Sequence, residues 1–338
     1  MISKYNELLV VLLSTLILSG WHLGGLTWLF EWTSISFYEA GQPDIGEKTK
    51  ESILHVIQIA EFVMMSLSFV ISPLAIYFPL KNDQLTWPIR LLAASENLSK
   101  FIFALYYVTY GFCNLPVNGD RSTRCSDNLY SVLNSIYFNE FLPYYIWGHT
   151  AQYSQMMISL SRFFAISFNG AYFRYTLRWP IVQLVLPYVY RIGFEQLKWP
   201  FPDSYFTFEP YFLFIPFFLM ISLDSMTQYK FGKLKRKGKT TRCETLLMFQ
   251  MITNSLIALI YTIVFYSAQS GLNVFFGVNV GILFLEILNF IQFSMFNVLT
   301  VFISIYCFRK AKEQKERKGS ARQTIVISSA PPSSRHRD

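Results

Sequence analysis

The sequence predicts an all-α membrane protein, a bundle of seven transmembrane helices preceded by one further hydrophobic segment. Three observations carry that expectation. Of 338 residues, 52% are apolar and only 15% are charged, against roughly 25% charge in an ordinary soluble domain. Eight apolar stretches approach the ~20 residues that cross a bilayer as helix. Basic residues gather in every second connecting segment. Phe, Tyr and Trp make up 18% of the chain, more than one soluble core would bury. A cytosolic enzyme, a disordered chain and a collagenous one are all excluded.

The apolar stretches cover roughly 8–30, 53–79, 91–112, 142–168, 179–193, 205–229, 245–269 and 277–307. Their apolarity is continuous, which favours helices over the alternating strands of a barrel. The fifth is weakest, because Pro187 and Arg191 crowd its end. Between them, segment 80–90 carries Lys81 and Arg90, segment 169–178 carries Arg174 and Arg178, and segment 230–242 carries seven basic residues and no acid. The tail from Arg309 is basic again. The alternate segments are acidic or neutral, so the positive-inside rule makes the basic ones cytoplasmic.

Residues 53–308 then form the bundle, with 31–52 extracellular and 309–338 a basic tail too poor in apolar residues to fold by itself. Segment 1–30 has two readings. Lys4, the apolar run Leu8–Leu18 and the small pair Ser19-Gly20 suit a cleaved signal peptide; the same length suits an extra helix with a cytoplasmic N-terminus.

The third bundle helix ends Leu160-Ser161-Arg162-Phe163-Phe164-Ala165-Ile166. Together with the seven-helix plan, the Phe/Tyr-rich helices and the Glu244-Thr245-Leu246-Leu247 opening of the sixth, it resembles nematode serpentine chemoreceptors, seven-transmembrane G-protein-coupled receptors of the class gamma superfamily (the gamma, V, X, U and T classes). The resemblance implies a plasma-membrane chemosensory receptor, in a sensory cilium, that binds a small odorant- or pheromone-like ligand and signals to a heterotrimeric G protein. It places Arg162 at the G-protein face, where a guanidinium suits docking to backbone carbonyls. Lys235, Arg236 and Lys237 suit the same partner or anionic membrane lipid. The chain departs from rhodopsin-like receptors in having Ser161 before the arginine and no Pro after Asn297.

Ionisable residues inside the bilayer cost at least ~2.5–3.5 kcal/mol each and need partners. Glu61, Lys100 and Glu286 all reach the middle of the core by residue count, and a buried pair of Lys100 with Glu61 or Glu286 is expected. Glu96, four residues before Lys100, competes from the same helix face. Polar residues of the third and seventh helices, His149, Gln152, Tyr153, Glu286 and Asn289, are the candidate ligand contacts, beside aromatics such as Tyr144, Tyr145 and Trp147. Cys113 and Cys125 share the first outer loop, an oxidising compartment, and are expected to form a disulfide. No catalytic motif, metal-ligand cluster or phosphate loop occurs, so neither an enzyme nor a cofactor is expected, and the basic excess points to topology rather than nucleic acid. Two other readings stand beside the receptor. A transporter would show internal repeats and broken helices, and a ligand-gated cation channel of the insect odorant-receptor type would invert the topology.

Overall fold

The computed structural model describes residues 6–25, 44–114, 125–137, 145–168, 172–197, 200, 202–236 and 242–309. All of their regular structure is helical. Lys237, Tyr144, much of segment 31–52 and the tail from residue 310 lie outside the described residues.

Helix α1 spans Asn6–Gly20 and runs into a π-turn at Trp21–Gly25. The bundle follows as α2 (Glu47–Lys81), α3 (Trp87–Asn114), α5 (Tyr145–Ile166), α7 (Pro180–Gln196), α8 (Pro202–Arg236), α9 (Arg242–Phe275) and α10 (Val278–Ser294). A second π-turn, Met295–Leu299, joins α10 to α11 (Thr300–Phe308). Two short helices sit in the connections, α4 (Asp127–Tyr137) and α6 (Phe173–Arg178). The seven expected spans are thus present, generally a few residues longer than the apolar stretches.

Helix chemistry accounts for the ends. Glu47 begins α2 and Lys81 ends it, each complementing the dipole. Pro180 opens α7, where its missing N–H costs nothing. Pro73, Pro79 and Pro187 lie inside helices, as membrane helices tolerate when neighbours re-satisfy the backbone.

Packing closes a ring. Helix α2 packs on α3 and on α10–α11, α9 packs on α10, α11 and α8, and α5 lies between α3 and α8 with α7 outside it. The end of the bundle carrying Lys81, Lys233, Lys235 and Arg236 is called the basic end below. Near it, Leu85, Ile89, Leu92, Met157, Ile158, Phe231, Leu247, Met251 and Phe308 form a closed apolar core.

Elsewhere the usual polarity is inverted. Val56, Val63, Val70, Ile181, Val189, Ile260 and Phe302 are exposed, while Ser68, Ser72, Asn97, Ser99, Thr150, Ser154 and Ser304 are fully buried. Outward apolar and inward polar side chains are what lipid demands of a bundle. Runs Asn6–Gly25, Glu47–Lys81 and Val278–Phe308 are long and apolar enough to cross a membrane on composition alone.

At the opposite end the chain before α2 is fastened to the start of α10. Asp44 accepts hydrogen bonds from the Asn279 and Val280 backbone N–H groups, at 3.2 and 3.1 Å. The Asn279 amide donates to the Ile45 carbonyl, and Lys50 donates to Asn279 Oδ1. Two of the orphan N–H groups that every helix start leaves open are satisfied this way. Gly277 permits it, since a Cβ there would lie 2.3 Å from Asp44. Desolvation pushes the Asp44 carboxyl up, but the N–H groups of Asn279, Ile45 and Val280 and the Lys50 charge outweigh it and hold the pKa below 3.8. A depressed carboxylate stabilises the fold above its unfolded pKa and loses that contribution as pH falls through the folded one. Acidification below pH 3.8 should therefore lower the melting temperature of the wild type in detergent more than that of Asp44→Asn. Gly277→Ala should reduce the difference between wild type and Asp44→Asn by displacing the carboxylate.

Cys113 and Cys125 are bonded to each other, so the loop between α3 and α4 is closed where the sequence places a bridge. Helix α4 packs back on α3.

Candidate functional site

A cavity of about 280 Å³ lies between α3, α5, α8, α9 and α10–α11, toward the end opposite the basic one and reaching the middle of the bundle. Its aromatic wall includes Phe103, Tyr145, Phe214, Phe217 and Phe293; its polar wall includes His149, Gln152, Asn254, Thr262, Asn289 and Gln292. Gln155, Asn297 and Thr300 form the deepest part. Among the described residues no Asp, Glu, Lys or Arg lines it.

The floor is shaped by the π-turn at Met295–Leu299. Such a turn releases carbonyls from the helical ladder and re-aims side chains. Ser68 of α2 donates to the Asn297 carbonyl at 3.0 Å, and Asn297 Nδ2 donates to the Phe293 carbonyl at 3.1 Å. That fixes the amide orientation, with Asn297 Oδ1 buried and unpartnered. Gln152 Oε1 and Asn254 Oδ1 are likewise buried and unpartnered on the cavity wall. Three acceptors in that condition are costly in a low-dielectric interior and suit a guest that brings hydrogen-bond donors.

Beneath the floor runs a charged belt. Lys100 donates to Glu96 at 2.6 Å and to the Thr300 hydroxyl at 2.6 Å. Gln155 donates to the same Glu96 oxygen at 2.7 Å. Lys100 and Glu96 are both wholly buried, and the Phe296 ring lies 4.6 Å from the ammonium. The expected pairing of Lys100 with Glu61 or Glu286 is corrected here. The carboxylate four residues away already meets the ammonium along one helix face, and Thr300 supplies the contact across helices. Glu61 instead accepts from Tyr107 and lies within electrostatic range of Glu286.

A second buried pair braces the cavity wall. Arg191 and Glu195 on α7 are 2.8 Å apart, each about 1% exposed. Arg191 donates to His149 Nδ1 at 3.1 Å, and Tyr145 donates to Glu195 at 2.9 Å. Accepting on Nδ1 leaves His149 with Nε2 as its donor. Two cavity residues, Tyr145 and His149, are thereby held by one ion pair.

Of the expected ligand contacts, His149, Gln152 and Asn289 line the cavity. Tyr153 does not: it is 1% exposed and packs against Tyr190 and Phe217. Glu286 is also absent from the lining, being turned toward the α2 side. Asp224 escaped sequence reasoning although it lies deep within the apolar stretch 205–229. It is buried and accepts from Ser255, tying α8 to α9.

At the basic end, Arg162 is 9% exposed, beneath the closed apolar core. Lys235 and Arg236 are exposed at the end of α8. Just past α5, Phe168 takes a positive φ of 55° and packs edge-on to Phe163 and Tyr172. Among the described residues no group of three His, Cys, Asp or Glu is placed to hold a metal.

No protein-family model matches the chain, and no curated protein matches it. Among solved structures it is similar to squid rhodopsin, with a TM-score of 0.47 at 11% identity, over 86% of this chain and 99% of that one.

Proposed function

We propose that the chain is a seven-helix receptor of the plasma membrane, with the basic end cytoplasmic, that binds a small uncharged ligand in the cavity and couples to a heterotrimeric G protein. The observation that carries the reading is the cavity itself. Its volume sits at the lower end of the ~300–1,000 Å³ of small-molecule sites, and its lining combines aromatics with uncharged amides and hydroxyls. Burying an ion against such a wall without a counter-charge is prohibitive, which favours a neutral ligand. The unpartnered oxygens of Gln152, Asn254 and Asn297 favour hydroxyl or N–H groups on it. An odorant- or pheromone-like molecule has this chemistry, which agrees with the serpentine chemoreceptor pattern around Arg162.

The same geometry supports a route to the G protein. A ligand touching Thr300 or Gln155 touches the two residues that hold the Lys100–Glu96 pair. Helices α3, α5 and α11 meet there, and all three enter the apolar core that covers Arg162. Movement of that belt on ligand binding would open the core and present Arg162, Lys235 and Arg236 to the partner. A second role of the basic residues, contact with anionic lipid, is compatible with this.

Replacing Asn289 by Phe tests the cavity. The added ring should fill it, so that any compound active on the wild type loses at least tenfold in potency, the effect of about 1.4 kcal/mol, at equal surface level. Unchanged potency would remove the cavity from ligand binding.

A further inference from the structure

We infer that residues 6–25 are a resident eighth membrane helix, which enters from the cytoplasmic side and clamps the length of α8. The two readings of this segment differ in what one face of it should look like. The apolar stretch of a signal peptide needs no patterned face, because it is cut away. A resident helix needs one face built for protein and the rest for lipid.

The structure has such a face. Val11, Thr15, Ser19 and His22 are all at most 7% exposed, and their spacing of four, four and three places them on one side of a helix. Leu9, Leu12, Leu13, Leu16 and Ile17 on the other sides are about half to two-thirds exposed. Small and polar residues inward with leucines outward is the interface pattern of membrane helices. The Thr15 hydroxyl donates to the Val11 carbonyl at 2.8 Å, so it enters the interface without an unmet donor.

That face packs on α8, with contacts at both of its ends. At the basic end Glu7 forms an ion pair with Lys230, which also donates to Ser167 at 3.5 Å. One turn along, Val11 joins Leu223 of α8 and Phe163 of α5 in an apolar cluster with Leu219 and Met226 at its edge. At the far end His22 stands edge-on to Phe214 and Phe218, with centroids 4.5 and 5.2 Å away. Helix α1 is therefore antiparallel to α8. Its 20 residues give about 30 Å, one hydrocarbon thickness.

The clamp has a functional consequence that rests on the reading of the cavity. Phe214 lines the cavity and touches His22, while Lys230 pairs with Glu7 just before the exposed basic residues of α8. Helix α1 thus splints the wall of the cavity to the end of α8 that would meet a cytoplasmic partner, and resists displacement of one relative to the other.

The test uses the full chain, tagged at its C-terminus and purified from a eukaryotic membrane. Intact mass and N-terminal sequencing should find residues 6–25 present. A glycan acceptor added ahead of Asn6 should stay unmodified, because it never enters the lumen. In the double variant Glu7→Cys, Lys230→Cys, a thiol cross-linker should join the N-terminal peptide to the α8 peptide within one chain; neither cysteine sits in the tightly packed core, so folding is not at stake. A mature chain starting beyond Gly20, or a glycosylated N-terminus, would overturn the inference. So would an intact chain in which the two cysteines do not cross-link. None of these readouts needs a ligand or a G protein, so failure of the receptor reading would leave the eighth helix standing.

Discussion

Lys100→Met should destabilise the bundle by about 3–5 kcal/mol, the cost of leaving one partner of a buried ion pair uncompensated. Glu96 would remain wholly buried with only Gln155 donating to it, and Thr300 would lose its donor across helices. Thermal unfolding in detergent, followed by exposure of the buried thiol of Cys307, reads the loss. The double variant Glu96→Gln, Lys100→Met should recover most of it, since removing both charges can be close to neutral. A double variant as unstable as the single one would show that Lys100 matters for its packing rather than for its charge. The separate variant Glu286→Gln should leave stability near wild type, because Glu286 takes no part in the pair.

The second large effect is expected at the cavity wall. Arg191→Leu should also cost about 3–5 kcal/mol, for the same reason, since Glu195 is 1% exposed and would lose the counter-charge on its own helix face. Unlike the first variant it should also act on binding. His149 Nδ1 would lose its donor, freeing the ring to change tautomer and turn within the cavity. The double variant Arg191→Leu, Glu195→Gln should therefore restore stability but not ligand potency. Recovery of both would make the pair a scaffold with no hold on the site.

Much of the architecture is legible in the sequence, and the reason is thermodynamic. Lipid penalises polar surface so heavily that helix positions follow from apolar runs. Helices α4 and α6 are missed because 11 and 6 residues are far shorter than the ~20-residue apolar runs that mark a span. The site is only partly legible. His149, Gln152 and Asn289 are found because an uncharged polar residue in a membrane helix has few places to go except inward. Tyr153 and Glu286 are misplaced for the same reason: inward means toward the bundle, and only part of the bundle interior is cavity. Tyr153 points between α7 and α8, and Glu286 toward α2. Arg191 was visible as a flaw at the end of a span, while the pattern Arg191-x-x-x-Glu195 already contained its partner. The π-turn that aims Asn297 and Thr300 has no compositional mark at all, and neither does the meeting of Thr300 with Lys100, two hundred residues apart.

The most direct test of the central claim is ligand-evoked nucleotide exchange. Wild type and Arg162→Ala would be expressed with heterotrimeric G proteins and challenged with a panel of volatile alcohols, ketones and esters and larger amphipathic pheromone-like compounds, with membrane current recorded in parallel. The account predicts that neutral, donor-bearing compounds stimulate exchange on the wild type, and that Arg162→Ala at equal surface level abolishes it. A ligand-evoked current that survives both Arg162→Ala and blockade of the G protein would contradict it and make the protein a channel.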